Sequence, residues 1–251
     1  MIPILLERKL ALPGGVSWRM VGQMKFLLSN DDGIEAAGLG ALRDAAVEFG
    51  TVVTAAPAGP QSGKSHCVTW EGPVRLEERA PDRFAVHGTP ADCARLGLLR
   101  VAPDVDRLLS GINHGGNLGA DVYYSGTVAA IREGILHGWP GIALSQYLSS
   151  EEIDWARTSR WAARVLQELL PRPVEPGLFY NVNFPHLAAN DPEPGMVFCP
   201  LDPSPLPLSY RHEGDDGHVY DGVYSTRKRI PGADVDTCFS GQISITEMRL
   251  F

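Results

Sequence analysis

No apolar run in this chain approaches the ~20 residues that a membrane-spanning helix needs, so no membrane partner is expected. Cysteine is scarce. Cys67, Cys93, Cys199 and Cys238 are widely spaced and form no CxxC pair, which excludes a zinc ribbon and a dense disulfide framework. Buried free thiols in a reducing, cytoplasmic compartment are the expectation. Positive charge is also short: 22 Lys and Arg against 30 Asp and Glu leave a net charge of -8. That deficit argues against a nucleic-acid polymer as partner, because such binding depends on cations neutralising phosphates. A small phosphorylated ligand stays compatible, since a bound metal reverses the local sign. Internal repeats and low-complexity tracts are lacking as well. With 251 residues, 44% hydrophobic and 21% charged, the chain has an ordinary globular composition and enough length for a full core.

Residues 1–23 carry Arg8, Lys9 and Arg19, but Pro3, Pro13 and Gly14-Gly15 break any apolar stretch, so they make a poor signal peptide. Met24 stands directly before the first expected strand. Translation starting there would make residues 1–23 a dispensable extension.

Lys25–Gly33, KFLLSNDDG, reads as a buried strand that stops at two adjacent carboxylates, Asp31 and Asp32. In an open α/β sheet, ligands bind beyond the carboxyl ends of strands. Adjacent carboxylates raise one another's pKa unless a cation or donors compensate. The same four residues, Asn30 to Gly33, also suit a plain turn.

Helical spacing of Leu39, Leu42, Ala46 and Phe49 follows, with Gly50 as a stop, and Thr51 to Ala56 reads as a second strand. The loop Pro57 to Ser65 leaves it at the same sheet edge as Asp31 and brings Ser62 and Lys64. Only three residues separate Gly59 from Gly63, so this is not a GxxxxGK[ST] triphosphate loop. Val68 to Leu76 and Phe84 to His87 suggest a hairpin turning at Pro81-Asp82. Thr89 and Pro90 mark a helix start, with the helix running to about Arg100. Arg107 to Ser110 is the next core strand, running into a loop from Gly111 to Gly119 whose glycines let main-chain N–H groups approach a ligand. Tyr124-Ser125-Gly126-Thr127 opens another helix, whose start serves either as an anion site or as simple capping.

A strand at Gly141 to Ser145 precedes an amphipathic helix over residues 151–170, with Ile153, Trp155, Ala156, Trp161, Val165 and Leu169 as its expected buried positions. Leu178 to Phe184 is a further strand. Eight prolines lie from Pro185 to Pro231, where irregular chain and an exposed hairpin near His218 to Tyr224 are expected. Gln242 to Leu250 alternates as a last strand. The expected units are therefore an extension (1–23), an α/β catalytic core (24–190), a protruding arm (191–239) and a returning strand (240–251).

Three loops thus converge on one sheet edge: Asn30 to Asp32, Ser62 with Lys64, and Asn113 to Asn117. Their donors are two carboxylates, a hydroxyl and an amide carbonyl, which suits Mg²⁺, Mn²⁺ or Ca²⁺ rather than zinc or copper.

The motifs LLSNDDGI (27–34), QSGKS (61–65), GTPADC (88–93), SGIN and GGNLG (110–119), YSGTVAA (124–130), NVNFP (181–185) and GQISIT (241–246) together resemble the SurE-type survival-protein phosphatases. The resemblance implies a three-layer, Rossmann-like α/β/α core with a mostly parallel sheet. It implies a C-terminal hairpin arm used to assemble a homodimer or homotetramer. It also implies 5'-nucleotidase activity on nucleoside monophosphates with one divalent metal. Asp31, Asp32, Ser62 and Asn113 would hold the metal, and Asn117, Ser125, Gly126 and Thr127 would surround the phosphate. Asp234 best matches an Asp that the family places before the final strand, with Asp236 as the alternative. Departures are Ala58 in place of an acidic residue, Lys64 in place of a small one, and a chain ending at Phe251, before the tail that gives relatives a His.

The chemistry expected is hydrolysis by a metal-activated water, with Asp31 and Asp32 as the catalytic pair; a covalent carboxylate nucleophile is the other route. Two rivals differ in kind. A Rossmann-like deacetylase would need a His ligand just upstream, and residues 27–30 contain none. A non-catalytic, metal-stabilised nucleotide-binding module would account for Ala58 and the short tail.

Overall fold

The computed structural model describes residues 24–149 and 152–251. The proposed extension at residues 1–23 lies outside the described residues. In chain order the elements are β1 (Met24–Ser29), α1 (Ala37–Ala46), β2 (Gly50–Pro57), β3 (Arg75–Ala80), β4 (Arg83–His87), α2 (Pro90–Leu96), β5 (Arg107–His114), α3 (Gly126–Leu136), β6 (Gly141–Gln146), α4 (Trp155–Leu169), β7 (Leu178–Phe184), β8 (Met196–Phe198), β9 (Tyr210–Glu213), β10 (Gly217–Tyr220), α5 (Asp234–Phe239) and β11 (Ile243–Arg249).

Nine strands form one sheet in the order β3-β4-β2-β1-β5-β6-β7-β11-β8. The six from β4 to β7 run parallel, while β3 and β11 are antiparallel to their neighbours β4 and β7. Separately, β9 and β10 pair as an exposed antiparallel hairpin. The α/β fold with a mostly parallel sheet is as the sequence implied.

Helices cover both faces, so the central strands read as continuous apolar runs rather than alternating ones. Phe26 and Leu28 point into one core with Leu39, Leu42, Trp161 and Val165, which α1 and α4 supply. Leu27 points into the other with Cys93, Leu98, Val128 and Ile131, from α2, α3 and the turn between α2 and β5.

From β1 the chain moves out to β2, on to the edge strand β3 and back to β4 between them, then returns to β1's other side as β5 and continues outward to β6 and β7. The strand order therefore reverses between β1 and β5. That is the topological switch point, where the loops leaving two neighbouring strands diverge and open a crevice.

Several local expectations differ from the structure. The first hairpin strand is Arg75–Ala80 rather than Val68 to Leu76, because residues 61–74 are held as loop by side-chain bonds described below. The helix from Thr89 does begin with Thr89 as cap and Pro90 in the first turn, but it closes with a π-helical turn at Gly97–Val101. Strand β5 does not stop at Ser110. It continues through Gly111 to His114, with a register shift between Ser110 and Asn113. Gly111 is at φ +132, and a Cβ there would stand 2.1 Å from the Leu144 carbonyl oxygen, so only glycine lets this strand continue beside β6. On the fourth helix, Trp161, Val165 and Leu169 are buried as expected, Ile153 and Trp155 are half-buried, and Ala156 faces solvent. The exposed hairpin falls at Tyr210–Tyr220, earlier than His218 to Tyr224.

Candidate active site

Asn30 leaves β1 fully buried and closes the turn on itself. Its amide nitrogen donates to the Gly33 carbonyl, and its amide oxygen accepts the Gly33 N–H. Asn30 thereby fixes the direction of the two carboxylates between them.

Asp31 is 5% exposed. The Thr127 hydroxyl donates to its Oδ1 at 2.5 Å. The first residue of α3 also lies against it: a Cβ on Gly126 would come within 2.8 Å of the Asp31 Cβ, so glycine is needed for the helix to approach this closely. Burial pushes the Asp31 carboxyl up from 3.8 to about 6; the Thr127 bond opposes the rise and the neighbouring Asp32 charge adds to it. Asp32 points the other way, across the crevice, where its Oδ2 accepts the His114 backbone N–H at 3.0 Å. β1 and β5 are thus joined through a carboxylate at their carboxyl ends.

The remaining expected residues divide into those on the elements flanking this crevice and those with other partners. Asn113, beside His114 on β5, donates its amide nitrogen to the Gly115 carbonyl, which leaves its amide oxygen as the acceptor atom. Ser62 sits next to Gln61, whose N–H donates to the Asp31 carbonyl at 2.7 Å. Ser62 and Lys64 are both exposed at the tip of their loop. Ser125 caps α3 by accepting the Val128 N–H, so its oxygen serves the helix. Asn117 is buried. Its side chain donates to Ser145, its N–H to Asn183 Oδ1, and its carbonyl accepts from both Asn181 and Asn183. The two asparagines of NVNFP therefore hold the glycine-rich loop, a role that no spacing reveals.

Asp234 lies fully buried at the start of α5 and accepts the N–H groups of Gly119, Asp202 and Val235 at 2.8 to 2.9 Å. It latches the segments around Asp202 and α5 onto the glycine loop. A second latch lies nearby, where Tyr224 and Arg227 both donate to Asp121.

Sequence reasoning missed Glu133. It is 2% exposed on α3 and gathers three partners: His66 at 2.8 Å, Arg95 at 2.6 Å and His137 at 3.0 Å. Burial alone would raise its pKa, but these three partners outweigh it and hold the carboxyl at about 2, against an ordinary 4.5. His137, four residues on from Glu133, was the local signal available. His66 and Arg95 are brought in by the fold.

The two adjacent carboxylates, one raised by burial, and the Asn113 amide oxygen on the neighbouring strand are all oxygen donors. Such a set fits a hard divalent cation, whose charge would compensate both carboxylates. Among the described residues, no group of three or more His, Cys, Asp or Glu side chains is placed to hold a metal, so an Asn or Ser oxygen has to complete any such site.

The fold and this crevice define a doubly wound α/β protein with an acidic, oxygen-lined site at its switch point. Residues 26–203 match the family model described as survival protein SurE. A protein from Nostoc sp. (strain PCC 7120) is 49% identical over 228 residues, covering 90% of this chain and 100% of its own length. The "5'-nucleotidase SurE" of Roseobacter denitrificans is 37% identical over 253 residues, covering 90% of this chain and 94% of its own. The crystal structure of the SurE protein from Aquifex aeolicus superposes with a TM-score of 0.80 at 30% identity, covering 90% of this chain and 94% of that one. The chain belongs to the SurE family.

Proposed function

We propose that the protein is a divalent-metal-dependent phosphomonoesterase that hydrolyses nucleoside 5'-monophosphates to nucleoside and phosphate. The observation that carries this reading is the placement of Asp31 and Asp32 at the switch point, one braced by the start of α3 and the other by the His114 N–H. Named relatives such as the "5'-nucleotidase SurE" of Roseobacter denitrificans support the substrate class.

Asp31, Asp32, Asn113 and Ser62 would hold the cation. When bound there, it supplies an acidified water and a Lewis acid toward a phosphoryl oxygen. The chain's own residues do the positioning. Thr127 and the backbone at the start of α3 fix the orientation of the Asp31 carboxylate. The N–H groups at the start of α3 and the glycine-rich backbone after β5 favour the negative charge that builds on the transferring group. The side chains of Ser125 and Asn117 act through structure, as cap and as loop anchor.

The arm fits assembly with a second copy. Its hairpin carries Tyr210, Val219 and Tyr220 exposed, with Leu208 just before it, apolar surface that a partner subunit would cover.

The test is phosphate release from a panel of nucleoside monophosphates with Mg²⁺, Mn²⁺ or chelator. Metal-dependent release supports the reading. Nucleotide binding without release would leave a binding module in its place.

A further inference from the structure

Beside the crevice lies a cleft of about 470 Å³ with two walls. One is the loop after β2, through Ala58, Gln61, Lys64, Cys67 and Thr69; the other is the end of β4 with the Thr89 turn. We propose that this cleft receives the sugar and base of a nucleoside monophosphate whose phosphate sits at Asp31 and Asp32. The inference rests on the function proposed above and adds where the rest of the substrate goes.

Position supports it first. The cleft opens at the carboxyl ends of β2 and β4, next in the sheet to β1 and β5. The β2/β4 junction is two strand spacings from the β1/β5 junction, roughly 10 Å, on the scale that separates phosphate from base in a mononucleotide. The two sites share a wall, since Gln61 lines the cleft while its N–H donates to Asp31.

Chemistry supports it next. Ala58 adds an apolar methyl, Gly59 and Gly88 contribute backbone, and Gln61, Lys64 and Thr69 add polar groups. A heterocycle joined to a hydroxylated sugar asks for such a mixture of small apolar contacts and sparse donors.

The loop wall is also held in place, as a specificity surface must be. Ser65 donates to the Tyr123 carbonyl at 2.7 Å, and His66 bonds buried Glu133. Thr69 gives its N–H and its hydroxyl to Asp92, and Thr89 donates to the Cys67 carbonyl. These four anchors hold the loop from Ser65 to Thr69 against the body. They make His66 a positioning residue for the wall.

Cys67 gives the test its handle. It is exposed in the cleft lining, whereas Cys93, Cys199 and Cys238 are buried, so a maleimide will modify Cys67 selectively. The rate of Cys67 alkylation in the full chain with Mn²⁺ is measured with and without nucleoside monophosphate, and with inorganic phosphate alone. The proposal expects at least fivefold slowing by the nucleotide and less than twofold by phosphate. An unchanged rate at nucleotide concentrations that saturate hydrolysis overturns it, as does equal protection by phosphate.

A second variant reads the same cleft without labelling. Cys67→Trp should raise KM for nucleoside monophosphates at least tenfold, with kcat within threefold and a thermal midpoint close to the parent's. An unchanged KM overturns the assignment. Failure of the proposed function is seen separately: the unmodified protein would then release no phosphate, while the alkylation assay still reports whether the cleft takes a nucleotide.

Discussion

Thr127 Oγ1 donates to Asp31 Oδ1 at 2.5 Å, joining the first turn of α3 to the end of β1 across 96 positions. The bond makes the orientation of the Asp31 carboxylate depend on the docking of a helix. It also offsets part of the effect of burial, which would otherwise favour the protonated acid still more.

Replacing Thr127 with Val should therefore lower kcat/KM about ten- to hundredfold, the range expected from losing one hydrogen bond to a charged group. Thr127→Ser keeps the hydroxyl and should retain most activity. Steady-state kinetics on the two variants decide this, and equal losses in both would assign the effect to packing instead.

Asp31→Asn should abolish phosphate release yet stabilise the metal-free protein. The folded-state pKa is raised from 3.8 to about 6, so the stabilising contribution of the acid is complete below about pH 3.8 and lost as the pH rises through about 6. At neutral pH the ionised group then costs up to roughly 3 kcal/mol, which the neutral amide avoids. Urea unfolding with chelator should show the variant more stable, and added Mn²⁺ should stabilise only the parent.

Glu133 titrates with the opposite sign. Its folded-state pKa is lowered to about 2, so its contribution is present above about pH 4.5 and lost as the pH falls through about 2. Glu133→Gln should cost roughly 3 kcal/mol at pH 7, and its gap from the parent should narrow in denaturant titrations at pH 3. Faster amide exchange in residues 61–69 should accompany it, because His66 loses its partner.

Two glycines of α1 should respond in opposite directions to the same change. A Cβ on Gly38 would stand 2.0 Å from the Ile112 carbonyl oxygen and 2.9 Å from the Trp155 ring, whereas one on Gly40 meets nothing within 4 Å. Gly40→Ala should stabilise the protein by about 0.5–1 kcal/mol through helix propensity. Gly38→Ala should cost about 2 kcal/mol or more and reduce activity, because it pushes on β5 just before Asn113. Urea midpoints measured side by side check both.

Much of the fold was legible because it is written in local patterns. Apolar runs such as Phe26-Leu27-Leu28 mark strands covered on both faces, Thr89-Pro90 marks a helix start, and Ser125 marks another. The carboxylate pair at the end of β1 was legible for the same reason, since a strand that stops at Asn30-Asp31-Asp32-Gly33 shows its own terminus. By contrast, the end of β5 was misjudged at Ser110. Gly111, which reads as loop, is needed for close approach to β6, and only the neighbouring strand discloses that.

What the sequence determined alone is which residue types stand at the ends of which elements, because capping, turn chemistry and hydrophobic period act over a few positions. Tertiary structure decided who meets whom: Thr127 with Asp31, His114 with Asp32, Asn181 and Asn183 with Asn117, and His66, Arg95 and Glu133 in one cluster. Those partners lie between 38 and 96 residues apart, and no local periodicity encodes such a pairing. His137, the third partner of Glu133, is four residues on, at the end of the same helix. The switch point set the rest, because the reversal of strand order at β1 and β5 turned two loop ends into facing walls of one crevice.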